Sequence, residues 1–398
     1  MARKKRPVVA VVAALTLTVT GCADEPAPQP SVTSSLACPA AVPGARPAAV
    51  TLIVGARANN PRPDLPKDVR RLVESAAQGG QEIRIVRLDG EPSIALTATF
   101  ESNQKNDARN DSKLDDFMKR TLGVVQKLEP KVAEADGLAA LAEAGRITPE
   151  GGLVVFLDSG LSTAGALSFT DVAMFSAEPA DVSAFLRKEE LMPGLSGRTV
   201  VFVGLGNTAD PQPVLNGKLR GRVTAIWEAV ARDAGATCVD TLAADSRRTA
   251  VDYPVGVSVV ALPAPPRPPE RCGTTVLADS NSVGFVVRTA RLREPEEGRK
   301  VLRQLVDQLN AGDQRILLVG VTSSEGGRAY NEKLSKDRAA AIRTELVKLG
   351  VDAGRIRIRG DGPGGRYFTR DLTAEGVLIP SAAARNRAVV VELTCPKS

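Results

Sequence analysis

Tyr330-Asn331-Glu332-Lys333-Leu334-Ser335-Lys336-Asp337-Arg338-Ala339, followed after a further helical stretch by Gly350-Val351-Asp352-Ala353-Gly354-Arg355-Ile356, is the part of this chain that decides its fold. Asn331, Leu334, Ser335 and Arg338 fall at i, i+3, i+4 and i+7, which places them on one face of a helix over two turns. Ile342, Leu346 and Leu349 continue an apolar stripe to Gly350, a stop signal. One helix face therefore delivers an amide and a guanidinium to the same place.

These spaced elements resemble the signature of the OmpA-like peptidoglycan-binding domain, with its Tyr-Asn-x-x-Leu-Ser-x-x-Arg-Ala helix, Gly-Val-x-x-x-Arg-Ile and closing Asn-Arg-Arg-Val strand. The last element stands here as Asn386-Arg387-Ala388-Val389, and the resemblance spans roughly residues 276–394. It implies an OmpA-like α/β sandwich whose arginine, here Arg338, forks onto the carboxylate of the diaminopimelate side chain of a wall stem peptide. It further implies an aspartate ahead of the helix that pairs with the ligand's ammonium.

That aspartate is missing. The family's Gly-His-Thr-Asp run aligns with Gly320-Val321-Thr322-Ser323, so a neutral hydroxyl replaces the carboxylate. Phe285-Val286-Val287-Arg288, read as a strand, puts a cation where the family's Phe-Asp-x-Asn has a neutral amide. Glu325 lies two residues past Ser323 and can stand in for the lost charge. The candidate ligand-binding residues are thus Thr322, Ser323, Glu325, Asn331 and Arg338. In the alternative reading Arg338 serves only a surface ion pair, with Asp337 or Glu325 as partner; retained and lost wall binding both remain open.

At the other end, Arg3-Lys4-Lys5-Arg6 is a basic n-region, and Val8 to Leu17 forms an apolar core too short to span a membrane. Val19-Thr20-Gly21-Cys22 resembles the bacterial lipobox, which implies removal of residues 1–21 and lipidation at Cys22. Acyl chains would then hold the chain to the membrane. The +6 net charge lies largely in that segment: without it 48 basic side chains face 46 acidic ones. No basic block with interleaved aromatics remains, which argues against nucleic acid as a partner.

Residues 22–47, with Pro26, Pro28, Pro30 and a Ser/Thr run, read as a tether. Pro263-Ala264-Pro265-Pro266-Arg267-Pro268-Pro269 reads as a stiff linker over 263–271 between domains at 48–262 and 272–398. Cys38, Cys238, Cys272 and Cys395 form an even set for an oxidising compartment. Pairing Cys38 with Cys238 and Cys272 with Cys395 would staple each domain at its ends; two other connectivities stay open.

In the first domain, Val50–Val54, Glu82–Leu88, Leu153–Leu157 and Thr199–Val203 are strand-like runs. Residues 64–77, 114–128 and 221–234 carry helical spacing. The strand-helix-strand-helix-strand order predicts a doubly wound, Rossmann-like α/β domain with a parallel sheet. Val155-Phe156-Leu157-Asp158-Ser159-Gly160 and Val201-Phe202-Val203-Gly204-Leu205-Gly206 resemble two strands of a von Willebrand factor A-like domain. Metal binding in such a domain would need Asp-x-Ser-x-Ser after the first strand, because a hard cation requires converging oxygens. Gly55-Ala56-Arg57-Ala58-Asn59 stands there instead, so no metal is expected, and Asp158 is read as a turn residue satisfied by backbone amides.

The chain has no histidine, which excludes Ser-His-Asp, Cys-His and histidine-metal chemistry. Gly204-Leu205-Gly206 and Gly360-Asp361-Gly362-Pro363-Gly364-Gly365 lack the features of phosphate loops. No cofactor and no catalytic residue are expected. The sequence points to a lipid-anchored envelope protein that docks to peptidoglycan and presents an α/β module to an unknown envelope protein. The alternative is an adaptor that no longer binds the wall.

Overall fold

The computed structural model describes residues 36–61, 65–102, 107–244, 251–264, 272–310 and 313–395. The signal-like segment, Cys22, the tether up to residue 35 and residues 265–271 of the proline-rich segment lie outside them. Among the described residues no helix is long and apolar enough to cross a membrane.

The first unit runs β1 (Val50–Gly55), α1 (Lys67–Gln78), β2 (Glu82–Leu88), β3 (Ser93–Thr99), α2 (Asp107–Gln126), α3 (Gly137–Ile147), β4 (Leu153–Leu157), α4 (Pro179–Lys188), β5 (Thr199–Val203), α5 (Gly217–Asp233) and β6 (Cys238–Leu242). Its strands form one sheet in the order β3-β2-β1-β4-β5-β6. Every residue of β1, β4 and β5 is buried, as helices on both faces of a parallel sheet require. Alternation then assigns the faces. Leu52, Val54, Val155 and Val201 pack with α1 and α2, whereas Ile53, Phe156 and Phe202 pack with α3, α4 and α5 around Trp227.

The expected alternation breaks after β2. Instead of a helix, a short turn leads into β3, which runs antiparallel to β2 at the sheet edge. Helix limits also move for local reasons. Pro66 holds the extended φ −54°, ψ 154° and delays α1 to Lys67, while Asn216 caps α5 by accepting from the Leu219 amide at 2.9 Å.

The second unit runs β7 (Thr274–Leu277), α6 (Pro295–Asn310), β8 (Arg315–Val321), α7 (Arg328–Lys348), β9 (Ile356–Gly362), α8 (Pro380–Asn386) and β10 (Ala388–Thr394). Its mixed sheet has the order β7-β10-β8-β9, with only the β8–β9 pair parallel. α7 lies so close to β8 that a Cβ on Gly320 would come within 1.8 Å of the Ser335 carbonyl oxygen, so only glycine fits. The stretch 285–288 is not the strand expected from sequence. Phe285 makes a single bridge to Leu292, and the chain then turns, with Arg288 at φ 58°; a residue with positive φ cannot continue a ladder.

Disulfides join Cys38 to Cys238 and Cys272 to Cys395, with Cα–Cα distances of 5.8 and 5.6 Å. The two units also touch, through charges that sequence spacing does not reveal. Arg293 pairs with Glu178, Arg385 with Asp171 and Arg387 with Asp181. Arg222 reaches Asp279 at 3.2 Å and Lys218 reaches Glu294 at 3.1 Å.

At the sheet's centre, where β1 and β4 diverge towards opposite helices, Arg57 supplies an internal cation. Its Nη2 lies 2.6 Å from Asp158 Oδ1 and 2.8 Å from Ser159 Oγ, and Nη1 donates to the Leu161 carbonyl at 2.8 Å. Asp158 also accepts from the Gly160 amide at 2.7 Å. Burial pushes the Asp158 carboxyl up, while Arg57 and the Gly160 amide pull against it. Removing one member of such a pair strands the other charge, so Arg57→Ala should destabilise the first unit by about 3–5 kcal/mol in urea denaturation. Magnesium should leave the melting temperature of the wild type unchanged. A magnesium-dependent rise, which any ion binding to the native state must produce, would contradict this account.

Candidate functional site

The second unit gathers the sequence-derived candidates around a cavity of about 370 Å³. Thr322 and Ser323 leave the end of β8, Glu325 follows in the loop to α7, and Tyr330, Asn331, Leu334 and Arg338 come from one face of α7. Val287 and Arg288 close one side from the turn after Phe285, and Arg387 enters from the end of α8. The helical spacing that groups Asn331 with Arg338 in sequence is what brings them to one wall.

Local bonds fix the frame. Asn331 Nδ2 donates to the Glu325 carbonyl at 2.8 Å, so this amide shapes the loop. Ser335 Oγ accepts from the Gly362 amide at 3.0 Å and locks α7 to β9. The Ser324 amide donates to Asp371 at 2.9 Å, and Asn386 Nδ2 donates to the same carboxylate oxygen at 3.0 Å. Asp371 is fully buried behind the loop, where it positions Ser323 and its neighbours from far along the sequence.

Arg338 is 2% exposed. Its Nε donates to the Thr289 carbonyl at 3.0 Å, and its guanidinium sits 5.0 Å from the centre of the Phe285 ring. Nη1 has no hydrogen-bond partner, and neither does the nearby Thr322 Oγ1. The surface ion-pair alternative for Arg338 is therefore wrong: Asp337 pairs with Lys333 at 2.6 Å, and Glu325 with Arg288 at 2.8 Å. Burial, and then the charge of Arg387, pull the Arg338 pKa down to about 10. It remains cationic at neutral pH, with no carboxylate paired to it.

Arg387 adds a second inward cation that sequence reading left among the motif residues. It pairs with Asp181 of α4 and lies 3.5 Å from Glu325, yet its Nη1 is also unpartnered. Burial pushes the Asp181 carboxyl up, against the pull of Arg387. Three guanidiniums and one carboxylate thus line the cavity, and two buried N–H donors remain free. Because an unmade bond to a buried charged donor is costly, the arrangement suits an anion, held by Arg338 and Thr322 within reach of Arg387. Among the described residues no group of three His, Cys, Asp or Glu side chains could hold a metal ion.

A two-layer α/β domain with a cationic cavity between the β8–α7 loop and the end of α8 is the class of site that the geometry defines. Residues 285–376 match the OmpA family, so the C-terminal part of this chain is an OmpA family domain. Over 98 residues the chain is 42% identical to an outer membrane protein A of Bordetella avium, covering 24% of this chain and 47% of that protein. It is 39% identical over 77 residues to the probable lipoprotein YiaD of Escherichia coli (strain K12), covering 19% of this chain and 32% of that protein. The chain thus spans about half and about a third of these relatives' lengths. Among solved structures it is similar to the peptidoglycan-associated lipoprotein from Burkholderia pseudomallei, with 23% identity and a TM-score of 0.24 over 28% of this chain and 88% of that one. The cell wall anchor of the T6SS from Pseudomonas aeruginosa matches at 23% identity and a TM-score of 0.25, over 31% and 81% respectively.

Proposed function

We propose that this protein is a cell-envelope lipoprotein, anchored at Cys22, whose OmpA family domain docks to peptidoglycan through an altered pocket. The observation that carries this reading is the buried Arg338 Nη1 left without a partner beside the unpartnered Thr322 Oγ1. A carboxylate of the wall peptide would satisfy both. Ser323 cannot neutralise a ligand ammonium, and Glu325 is engaged with Arg288 and Arg387, so recognition rests on the anion and the affinity is modest. The first unit serves as a metal-free von Willebrand A-like module that offers a surface to an envelope protein. Its Arg57–Asp158 pair fills the strand-end position where a cation would otherwise be held.

Wild-type protein should sediment with purified wall sacculi, and Arg338→Ala should lose about ten- to a hundredfold in affinity, the worth of one charge-assisted contact. Circular dichroism and melting of the variant separate this loss from unfolding. Ser323→Asp, which restores a carboxylate at the loop, should strengthen sedimentation with diaminopimelate-containing wall. Tight binding indifferent to both substitutions would place the ligand elsewhere. No binding by any of the three would favour the adaptor, a reading that the replacement of the family's aspartate by Ser323 supports.

The lipid anchor is tested separately. Cys22→Ala should leave an unprocessed precursor that incorporates no labelled fatty acid, and normal labelling would remove the anchor from the account.

A further inference from the structure

A second recess lies at the far edge of the first unit, where β3 and the C-terminal half of α2 diverge. Its volume is about 710 Å³. Lys119, Arg120 and Gly123 of α2 line it, and Lys127 and Lys131 join them from the segment that follows the helix. Lys119 has only a 3.9 Å contact to Asp116, both side chains being well exposed. Against these cations the lining holds a single acid, Glu129. The floor is apolar: Val124 and Leu128 are half-buried, and Ile94 of β3 is 43% exposed.

Two features show that this recess is built. Gly123 stands inside a helix, an unfavourable place for glycine. Beyond its own helix backbone and chain neighbours, nothing lies within 4 Å of the position its Cβ would take, so packing does not demand it; its effect is to keep the recess open. The segment that follows α2 is also held in place. Fully buried Asp89 accepts from Arg87 Nε at 2.6 Å and from the Lys131 amide at 2.8 Å, so the segment that carries Lys131 is fixed by a buried ion pair before any ligand arrives. Preorganisation of this kind lowers the cost of binding.

From this geometry we propose that the recess binds a phosphate ester with an apolar body. Several exposed cations around one opening call for a compact, multiply charged anion; a phosphate monoester carries about −1.5 to −2 charges and three acceptor oxygens at neutral pH. Lysine serves phosphate well as a point charge. The apolar floor takes the substituent, and Gly123 lets it approach the α2 backbone. Such a ligand is either a soluble phosphorylated metabolite or the headgroup and proximal chain of an anionic lipid. The site is independent of the wall pocket, which lies in the other unit.

The test uses the full chain and octyl phosphate as probe, with inorganic phosphate as comparison, in isothermal titration calorimetry. Octyl phosphate should bind the wild type and inorganic phosphate more weakly. Gly123→Leu fills the recess and favours the helix, so it should cut octyl phosphate affinity at least about tenfold with an equal or higher melting temperature. Lys119→Glu combined with Lys127→Glu should produce about a ten- to hundredfold loss. Vesicles then distinguish the sources. A preference for phosphatidic acid over phosphatidylcholine vesicles that Gly123→Leu abolishes would identify the lipid, and octyl phosphate binding without that preference a soluble ester. Failure of the wild type to bind octyl phosphate, or binding unchanged in folded Gly123→Leu, would overturn the proposal.

Discussion

Burying a guanidinium without a full set of partners is among the least favourable things a fold can do, and the C-terminal unit is arranged around one that it keeps. Arg338 is fixed by the Thr289 carbonyl and the Phe285 ring, so it cannot swing to solvent in search of water. The close approach of α7 to β8 over Gly320, and the Ser335 bond to the Gly362 amide, hold the helix that carries it. The loop opposite is held by Asp371 and Asn386. What remains is a rigid cationic cavity whose free donors point inward, the property expected of a binding site and not of a surface ion pair.

Arg57 in the first unit is the instructive contrast. It is equally buried and its Nε has no partner, but both its terminal nitrogens are spent inside the protein on Asp158, Ser159 and the Leu161 carbonyl. One guanidinium closes a site from within, and the other leaves a site open. Between the two units, Arg387 belongs to both arrangements: it lines the cavity and is paired with Asp181 across the interface. Contacts such as Arg385–Asp171 and Arg293–Glu178 surround it, so the first unit is docked against the rim of the cavity.

Much of this was readable in the sequence because it depends on short-range periodicity. The grouping of Asn331, Leu334, Ser335 and Arg338 follows from 3.6-residue spacing, and the core strands of the first sheet from runs such as Leu153–Leu157 and Thr199–Val203. What was hidden depends on partners distant in sequence. Whether Arg338 finds a carboxylate is decided by where Lys333 and Arg288 send Asp337 and Glu325. The role of Asp371 depends on a loop 47 residues away. Strand β3, Ser-Ile-Ala-Leu-Thr-Ala-Thr, hides because an exposed edge strand lacks the continuous apolar run of a buried one. The stretch 285–288 misled for the opposite reason: Phe285-Val286-Val287 has strand composition, but Arg288 turns the chain away.

The most direct measurement follows the guanidinium N–H resonances of Arg338 by nuclear magnetic resonance while a soluble diaminopimelate-containing stem peptide is titrated into the protein. The account predicts that the Arg338 Nη signals shift and slow their exchange with water as the free Nη1 acquires an acceptor, with the Thr322 resonance moving in step. Unchanged Arg338 signals at a peptide concentration that saturates binding elsewhere on the chain would show that this cavity is not where the wall is held.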